Sequence, residues 1–241
     1  MSQKTIIVYI DEKQLVAQKV NNHSLYLARK VNETFTVIWV AKPPLATVNQ
    51  STYQYQNIFS IQDASYMVNY TNAPVQEGDV SFASGGKSLP IAVGQVTKLN
   101  QYGVFSAAEN DGAPGDVSID NQLQGNPSEM LLDSKGLKLW VNCSGGMNKG
   151  LAAMTPRNEF QLWFGPVQVA GSLIPKSLSN VCTVSVGDGQ TETVTYNAEG
   201  DWVSGQPRVR LTKEAVIALQ IRVDKAVKLA RASQAYNGEP V

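Results

Sequence analysis

This chain is poor in the residues on which most catalysis and metal binding depend: 241 residues hold one histidine and two cysteines. His23 lies beside Asn21 and Asn22 in a polar stretch and is the only histidine able to serve a serine or cysteine nucleophile as base, as in a pair of Cys143 with His23. One imidazole and two distant thiols cannot assemble the usual zinc sets. Two cysteines are also too few for a disulfide framework, and Cys143 and Cys182 read as reduced, buried thiols. Charge of one sign is missing as well. Twenty basic and twenty acidic side chains cancel, and only 17% of residues are charged, so no global field draws in nucleic acid or an anionic membrane. Long hydrophobic runs are absent. The apolar run Ile6 to Ile10 is too short for the core of a secretory signal, and no later run approaches a membrane span. A cytoplasmic protein is expected, in which the sequon-like triplets at Asn22, Asn32, Asn49, Asn69 and Asn142 stay unmodified.

What is present is β-pattern. A chain of this length buries enough surface for one large core. Period-two alternation predicts strands at 4–10, 24–30, 34–41, 53–59, 66–71, 79–84, 88–96, 100–105, 136–143, 158–165, 181–186 and 191–197. Pro43-Pro44 closes one, and Ser84-Gly85-Gly86-Lys87 and Gly187-Asp188-Gly189 read as tight hairpins that use φ > 0. Many short strands at this spacing predict a mostly β protein, an antiparallel β-sandwich over residues 1–205. Residues 206–241 read as a C-terminal amphipathic α-helix and tail, packed on the sandwich or on a partner subunit. Thr212 caps that helix, and Val216, Leu219, Val223, Ala226, Val227 and Ala230 form its apolar stripe. Ile217 and Ile221 fall outside the stripe among basic residues, where a second subunit would cover them; a homo-oligomer is expected. A basic amphipathic helix can also lie on a bilayer, but this one has no Trp or Phe, so a membrane role is not expected.

The motifs that could carry chemistry each have a plainer reading. Ser84-Gly85-Gly86-Lys87-Ser88 ends like a phosphate-binding loop, but Ser81 stands where the first glycine is needed and no helix is predicted to follow. Residues 107–128 hold Glu109, Asp111, Asp116 and Asp120 without a base. This predicts a long solvated loop; its oxygens could suit calcium, but the spacing is not that of an EF-hand. Carboxylate pairs for glycoside hydrolysis could be drawn from Asp11 and Glu12, or from Glu192, Glu199 and Asp201. Neighbours on a strand point to opposite faces, so surface charge is the better reading. An enzyme is not expected.

The aromatic residues give the site prediction. Alternation in Leu137–Cys143 puts Trp140 with Lys138 and Asn142, and in Glu159–Phe164 it puts Trp163 with Glu159 and Gln161. Trp39 shares a face with Phe35 and Val37 and reads as core. Tyr53 and Tyr55 alternate with glutamines, and Tyr66 and Tyr70 share a face of the next strand; tyrosine among amides is the composition of recognition surfaces. Trp140, Trp163, Tyr53, Tyr55, Tyr66 and Tyr70 are therefore the candidate ligand-binding residues. The alternative is that both faces of the sheets are covered and these rings are a second core.

Two segments add a resemblance. Leu25-Tyr26-Leu27-Ala28-Arg29-Lys30-Val31-Asn32 with Phe35-Thr36-Val37-Ile38-Trp39, then Tyr55-Gln56-Asn57-Ile58-Phe59 and Pro90-Ile91-Ala92-Val93-Gly94-Gln95, are similar to a group of fungal and some bacterial β-sandwich proteins. The resemblance spans about residues 5 to 205 and rests on strand patterns. The pink chromoprotein of oyster mushrooms is a possible relative in that group. The resemblance implies a non-catalytic protein that holds a small apolar or conjugated ligand, such as a noncovalently bound pigment, in an aromatic pocket. A cytosolic lectin-like defence protein that stacks rings on sugars is the first alternative, and a membrane-active toxin the second.

Overall fold

The computed structural model describes residues 3–48, 50–62, 65–75, 81–207 and 211–236. The elements begin with β1 (Gln3–Ile10), α1 (Glu12–Val20), β2 (His23–Val31), β3 (Val40–Lys42), β4 (Gln56–Gln62), β5 (Tyr66–Tyr70), β6 (Leu89–Ile91) and β7 (Gln95–Leu99). They continue with β8 (Val117–Asn121), β9 (Glu129–Asp133), β10 (Lys138–Val141), β11 (Gly150–Met154), β12 (Pro156–Pro166), β13 (Cys182–Ser185), β14 (Thr191–Tyr196), β15 (Trp202–Ser204) and α2 (Lys213–Tyr236). The protein is mostly β and sandwich-like, with a helix at its C-terminal end. The strands form four sheets, in the orders β15-β14-β1-β4, β13-β12-β2-β3, β10-β9-β5-β6 and β11-β8-β7. Pairing is antiparallel except for β1 with β14 and β7 with β8.

The first two sheets supply the centre of the core. In β1 the alternation of Ile6, Val8 and Ile10 puts three fully buried side chains on one face. In β2, residues Ser24 to Arg29 are all buried, so both faces of the second sheet are covered. One face gives Leu25 and Leu27 to the main core with Phe160 and Leu162 of β12. The other gives Tyr26 and Ala28 to a second cluster with Trp163 and Ile38.

Several predicted segments differ. The strand expected at 34–41 forms a ladder only at β3, because Thr34 and Val37 make isolated bridges instead. Phe35, Val37 and Trp39 therefore pack in three different clusters rather than on one face. The run 88–96 is split between β6 and β7 by a turn with Gly94 at φ 85°. Residues 100–105 are a turn, in which the Asn100 side chain accepts from the Tyr102 and Val104 amides. The strand expected at 79–84 lies partly outside the described residues, and 81–84 form none. The long loop expected at 107–128 contains β8, with Val117 and Ile119 fully buried between the acids. Neither glycine pair makes a hairpin tip. Residues 187–189 link β13 of one sheet to β14 of another, and Gly85 and Gly86 lie against the Tyr70 ring.

Residues 12–20, assigned no element by alternation, form α1. Asp11 is its N-cap, accepting from the Lys13 amide at 2.8 Å. At the other end of the chain, α2 matches its reading. Thr212 Oγ1 accepts from the Ala215 amide at 3.2 Å, Leu219, Val223 and Val227 are buried, and Ile217 and Ile221 are more than 60% exposed.

Candidate functional site

The six aromatic residues singled out from sequence are all buried, and they are not gathered in one place. Trp140 donates to Thr34 Oγ1 at 2.9 Å and packs in the main core. The pairing of β10 with β9 shifts register between Lys138 and Trp140, so alternation misassigned its face and Leu139, Trp140 and Val141 are buried in succession. Trp163 lies 5.3 Å from Tyr26, centroid to centroid, in the cluster behind the second sheet. Tyr53 donates to the His23 carbonyl at 3.0 Å and meets Phe164 edge-on. The Tyr66 hydroxyl accepts from the Arg29 guanidinium at 2.9 Å. Tyr70 donates to the Gly85 and Gly103 carbonyls, held between glycines whose missing Cβ atoms leave room for its ring.

Tyr55 lines a cavity. It forms the floor of a half-open cleft of about 850 Å³ between the first sheet, the start of α1 and the N-terminal half of α2. The floor is Tyr9 of β1 against Tyr55, an edge-to-face pair with centroids 5.4 Å apart. Tyr9 sits on the face of β1 opposite Ile6, Val8 and Ile10, and its hydroxyl accepts from Gln56 Nε2 at 3.0 Å. Ile10, Val203, Pro207, Leu211 and Leu219 supply apolar wall; Thr195, Asn197, Ser204 and Gln206 supply hydroxyls and amides.

Asp11, Glu12, Glu199 and Arg222 bring charge to the rim. Arg222 of α2 donates to both Glu12 oxygens, at 2.9 and 2.7 Å, and so ties the two helices together across the cleft. That guanidinium holds the Glu12 carboxyl below its ordinary range, against a smaller opposing effect of burial. The Tyr55 phenol moves the other way, pushed up first by burial and then by the neighbouring Tyr9 and the Asp11 carboxylate. An aromatic floor with a hydrogen-bonding rim is thus built from separate stretches of chain.

The remaining candidates stay apart. His23 Nδ1 lies 2.9 Å from Gln18 Oε1, while Cys143 contacts the Val141 carbonyl, and Cys143 and Cys182 are not joined in a disulfide. The acids of the predicted loop border a smaller hollow of about 460 Å³ with Glu109, Asp111 and Asp120, where Lys98 lies 3.9 Å from Asp120. Among the described residues no three His, Cys, Asp or Glu side chains converge as metal ligands. No helix in the described residues is long and apolar enough to cross a membrane.

Sequence reasoning missed Tyr9, Thr195, Val203, Leu219 and Arg222 as cleft residues. One signal was available: Tyr9 faces away from Ile6, Val8 and Ile10, as Trp140 and Trp163 were read to do on their strands. Comparison of the chain with protein-family models, with curated proteins and with solved structures finds no match.

Proposed function

We propose that this protein is a non-catalytic binding protein that holds one small ligand with a flat, apolar or conjugated body in the cleft between the first sheet and α2. The observation that carries this reading is the cleft itself: about 850 Å³, within the range of small-molecule sites, with Tyr9 and Tyr55 as its floor. Two phenol rings offer stacking area to a conjugated system at little entropic cost. The hydroxyls and amides of Thr195, Asn197, Ser204 and Gln206 can fix the polar edge of such a molecule. A bound sugar is a second reading, favoured by the rim of carboxylates, amides and hydroxyls.

Native mass spectrometry with an absorbance spectrum on the purified protein tests for a retained ligand, and titration with Nile red, a neutral conjugated dye, tests the cleft. The expected result is one dye per chain, with affinity reduced at least about tenfold by Tyr55→Ala and unchanged by Ile58→Ala on the outer strand. Absence of dye binding, together with release from a sugar column by free sugar, would replace the first reading with the second.

A further inference from the structure

We infer that the ligand of the cleft between the first sheet and α2 is an organic cation, an amine or quaternary ammonium carried on a flat apolar body. That charge deepens the reading of the cleft as a small-molecule site and rests on it.

The charged side chains of the cleft do not balance. Asp11, Glu12 and Glu199 share the lining with one cation, Arg222. Glu12 takes that cation for itself, accepting two guanidinium bonds at 2.9 and 2.7 Å. Asp11 and Glu199 are left, and among the described residues neither has a basic side chain within ion-pair distance. The fold brings both carboxylates to one end of the first sheet. Asp11 follows Ile10 at the end of β1, and Ile10 lies opposite Tyr196, which ends the parallel partner β14. The turn after β14 carries Glu199. There Asn197 Oδ1 accepts from the Glu199 amide at 3.1 Å, and Gln14 of α1 donates to the Ala198 carbonyl at 3.0 Å. Asp11 is fixed as the N-cap of α1, with Oδ1 taking the Lys13 amide. Its charge reaches the floor, where it is among the causes that raise the Tyr55 phenol.

The floor suits the same ligand. A tyrosine ring is electron-rich on its face and attracts a cation within about 6 Å of its centre. Elsewhere the chain fills such faces with its own lysines. Lys19 lies 4.9 Å from the centre of the Tyr53 ring, Lys42 5.0 Å from that of Phe59 and Lys138 4.1 Å from that of Phe82. Among the described residues no cation of the chain lies over Tyr9 or Tyr55, whose ring contact is with each other. A positively charged nitrogen in the cleft thus meets two tyrosine rings at the floor and two unpaired carboxylates at the rim. A neutral ligand leaves those carboxylates without a partner, and an anion is repelled by them. Arg208 and Arg210 stand in sequence between the lining residues Pro207 and Leu211 and lie outside the described residues, so their charge enters the test.

Fluorescence titration of the full chain with two dyes of one shape tests this: N-methylacridinium, a flat cation, and its parent acridine, uncharged in mildly alkaline buffer. The expected result is one N-methylacridinium per chain, bound at least about tenfold more tightly than acridine, with the difference shrinking as salt is added. Tyr55→Ala should weaken both dyes. Asp11→Asn with Glu199→Gln removes both charges and keeps a capping side chain on α1, and should bring the two affinities within about twofold of each other. Equal affinities in the wild-type chain, both lowered by Tyr55→Ala, would overturn the cationic ligand and leave the cleft as the site. A preference that survives in the double carboxamide variant would overturn the part given to Asp11 and Glu199. Tighter binding of anilinonaphthalene sulfonate, an anion, lost with Arg208→Gln and Arg210→Gln, would reverse the sign of the ligand's charge. Binding of neither acridine dye, nor of Nile red, would overturn the reading of the cleft itself.

Discussion

Lys19 is expected to weaken the fold at neutral pH, and Lys19→Met to strengthen it. The side chain lies in the last turn of α1 with 2% of its surface exposed. Its ammonium donates to the Pro44 carbonyl at 3.1 Å and to Thr52 Oγ1 at 2.7 Å, and it sits 4.9 Å from the centre of the Tyr53 ring. Burial nevertheless dominates, lowering its pKa from 10.5 to about 8. That lowering corresponds to about 3 kcal/mol, since a tenfold change in proton affinity is about 1.4 kcal/mol. Because the folded pKa is the lower one, the unfolded chain binds more protons between pH 8 and 10.5. The cost is therefore fully present below pH 8 and fades as pH rises toward 10.5. Methionine fills a similar volume without charge. It forfeits the bond to Thr52 and the ring contact, about 1 to 2 kcal/mol together, while the Pro44 carbonyl keeps the Thr52 hydroxyl at 2.9 Å. The net expectation is a gain of about 1 to 2 kcal/mol at pH 7 that vanishes or reverses near pH 10.5. Urea denaturation of both proteins at several pH values measures it. A variant less stable than wild type at pH 7, or a difference that does not change with pH, would refute the reasoning that desolvation outweighs the partners of this lysine.

The other aromatic and charged positions separate structural from binding roles. Trp163→Ala removes the largest fully buried side chain and should cost about 3 to 5 kcal/mol in denaturant titration. Gly103→Ala would drive a methyl into the Tyr70 hydroxyl at a φ of +76°, so a loss of about 2 kcal/mol or more is expected, read as a lower melting temperature. The Glu12 pair with Arg222 acts above about pH 4.5 and is lost as pH falls through the lowered Glu12 pKa. Both side chains are partly exposed, 40% and 58%, so Glu12→Gln should cost no more than about 1 kcal/mol at pH 7 and nothing in strong acid.

Where a segment lies in a regular ladder, its pattern was readable. β14 falls within its predicted strand and β1 and β12 extend theirs by one or two residues at an end, because alternation such as that of Ile6, Val8 and Ile10 reports a half-buried strand directly; β4 overlaps the strand expected at 53–59 only over residues 56–59 and runs on to Gln62. The start and buried stripe of α2 were equally legible, since Thr212 and the spacing of Leu219, Val223 and Val227 are local signals. The misses share a cause. In α1 only Leu15 of the helix's apolar residues is fully buried, so no stripe marks the period; its seat depends on Lys19 reaching Thr52 and on contact with α2. In β8 two buried residues stand among acids that read as loop.

The cleft was the least legible feature, because periodicity reports which face a side chain occupies but not what lies over that face. Trp140 and Trp163 were read as facing away from the core, yet a register shift buries one and a second apolar cluster covers the other. Tyr9 occupies the face of β1 opposite Ile6, Val8 and Ile10, and there α2 brings Leu219 and Arg222 to the wall of a cleft over Tyr9 and Tyr55. The difference between a filled back face and an open one lies in the distance at which the covering element is held. Here Arg222 of α2 and Glu12 of α1 bridge the rim of the cleft, through residues some 210 positions apart in sequence. If that ion pair sets the opening, Arg222→Ala should alter Nile red affinity while leaving Tyr9 and Tyr55 in place. An unchanged affinity would mean that the buried stripe of Leu219, Val223 and Val227 alone positions α2.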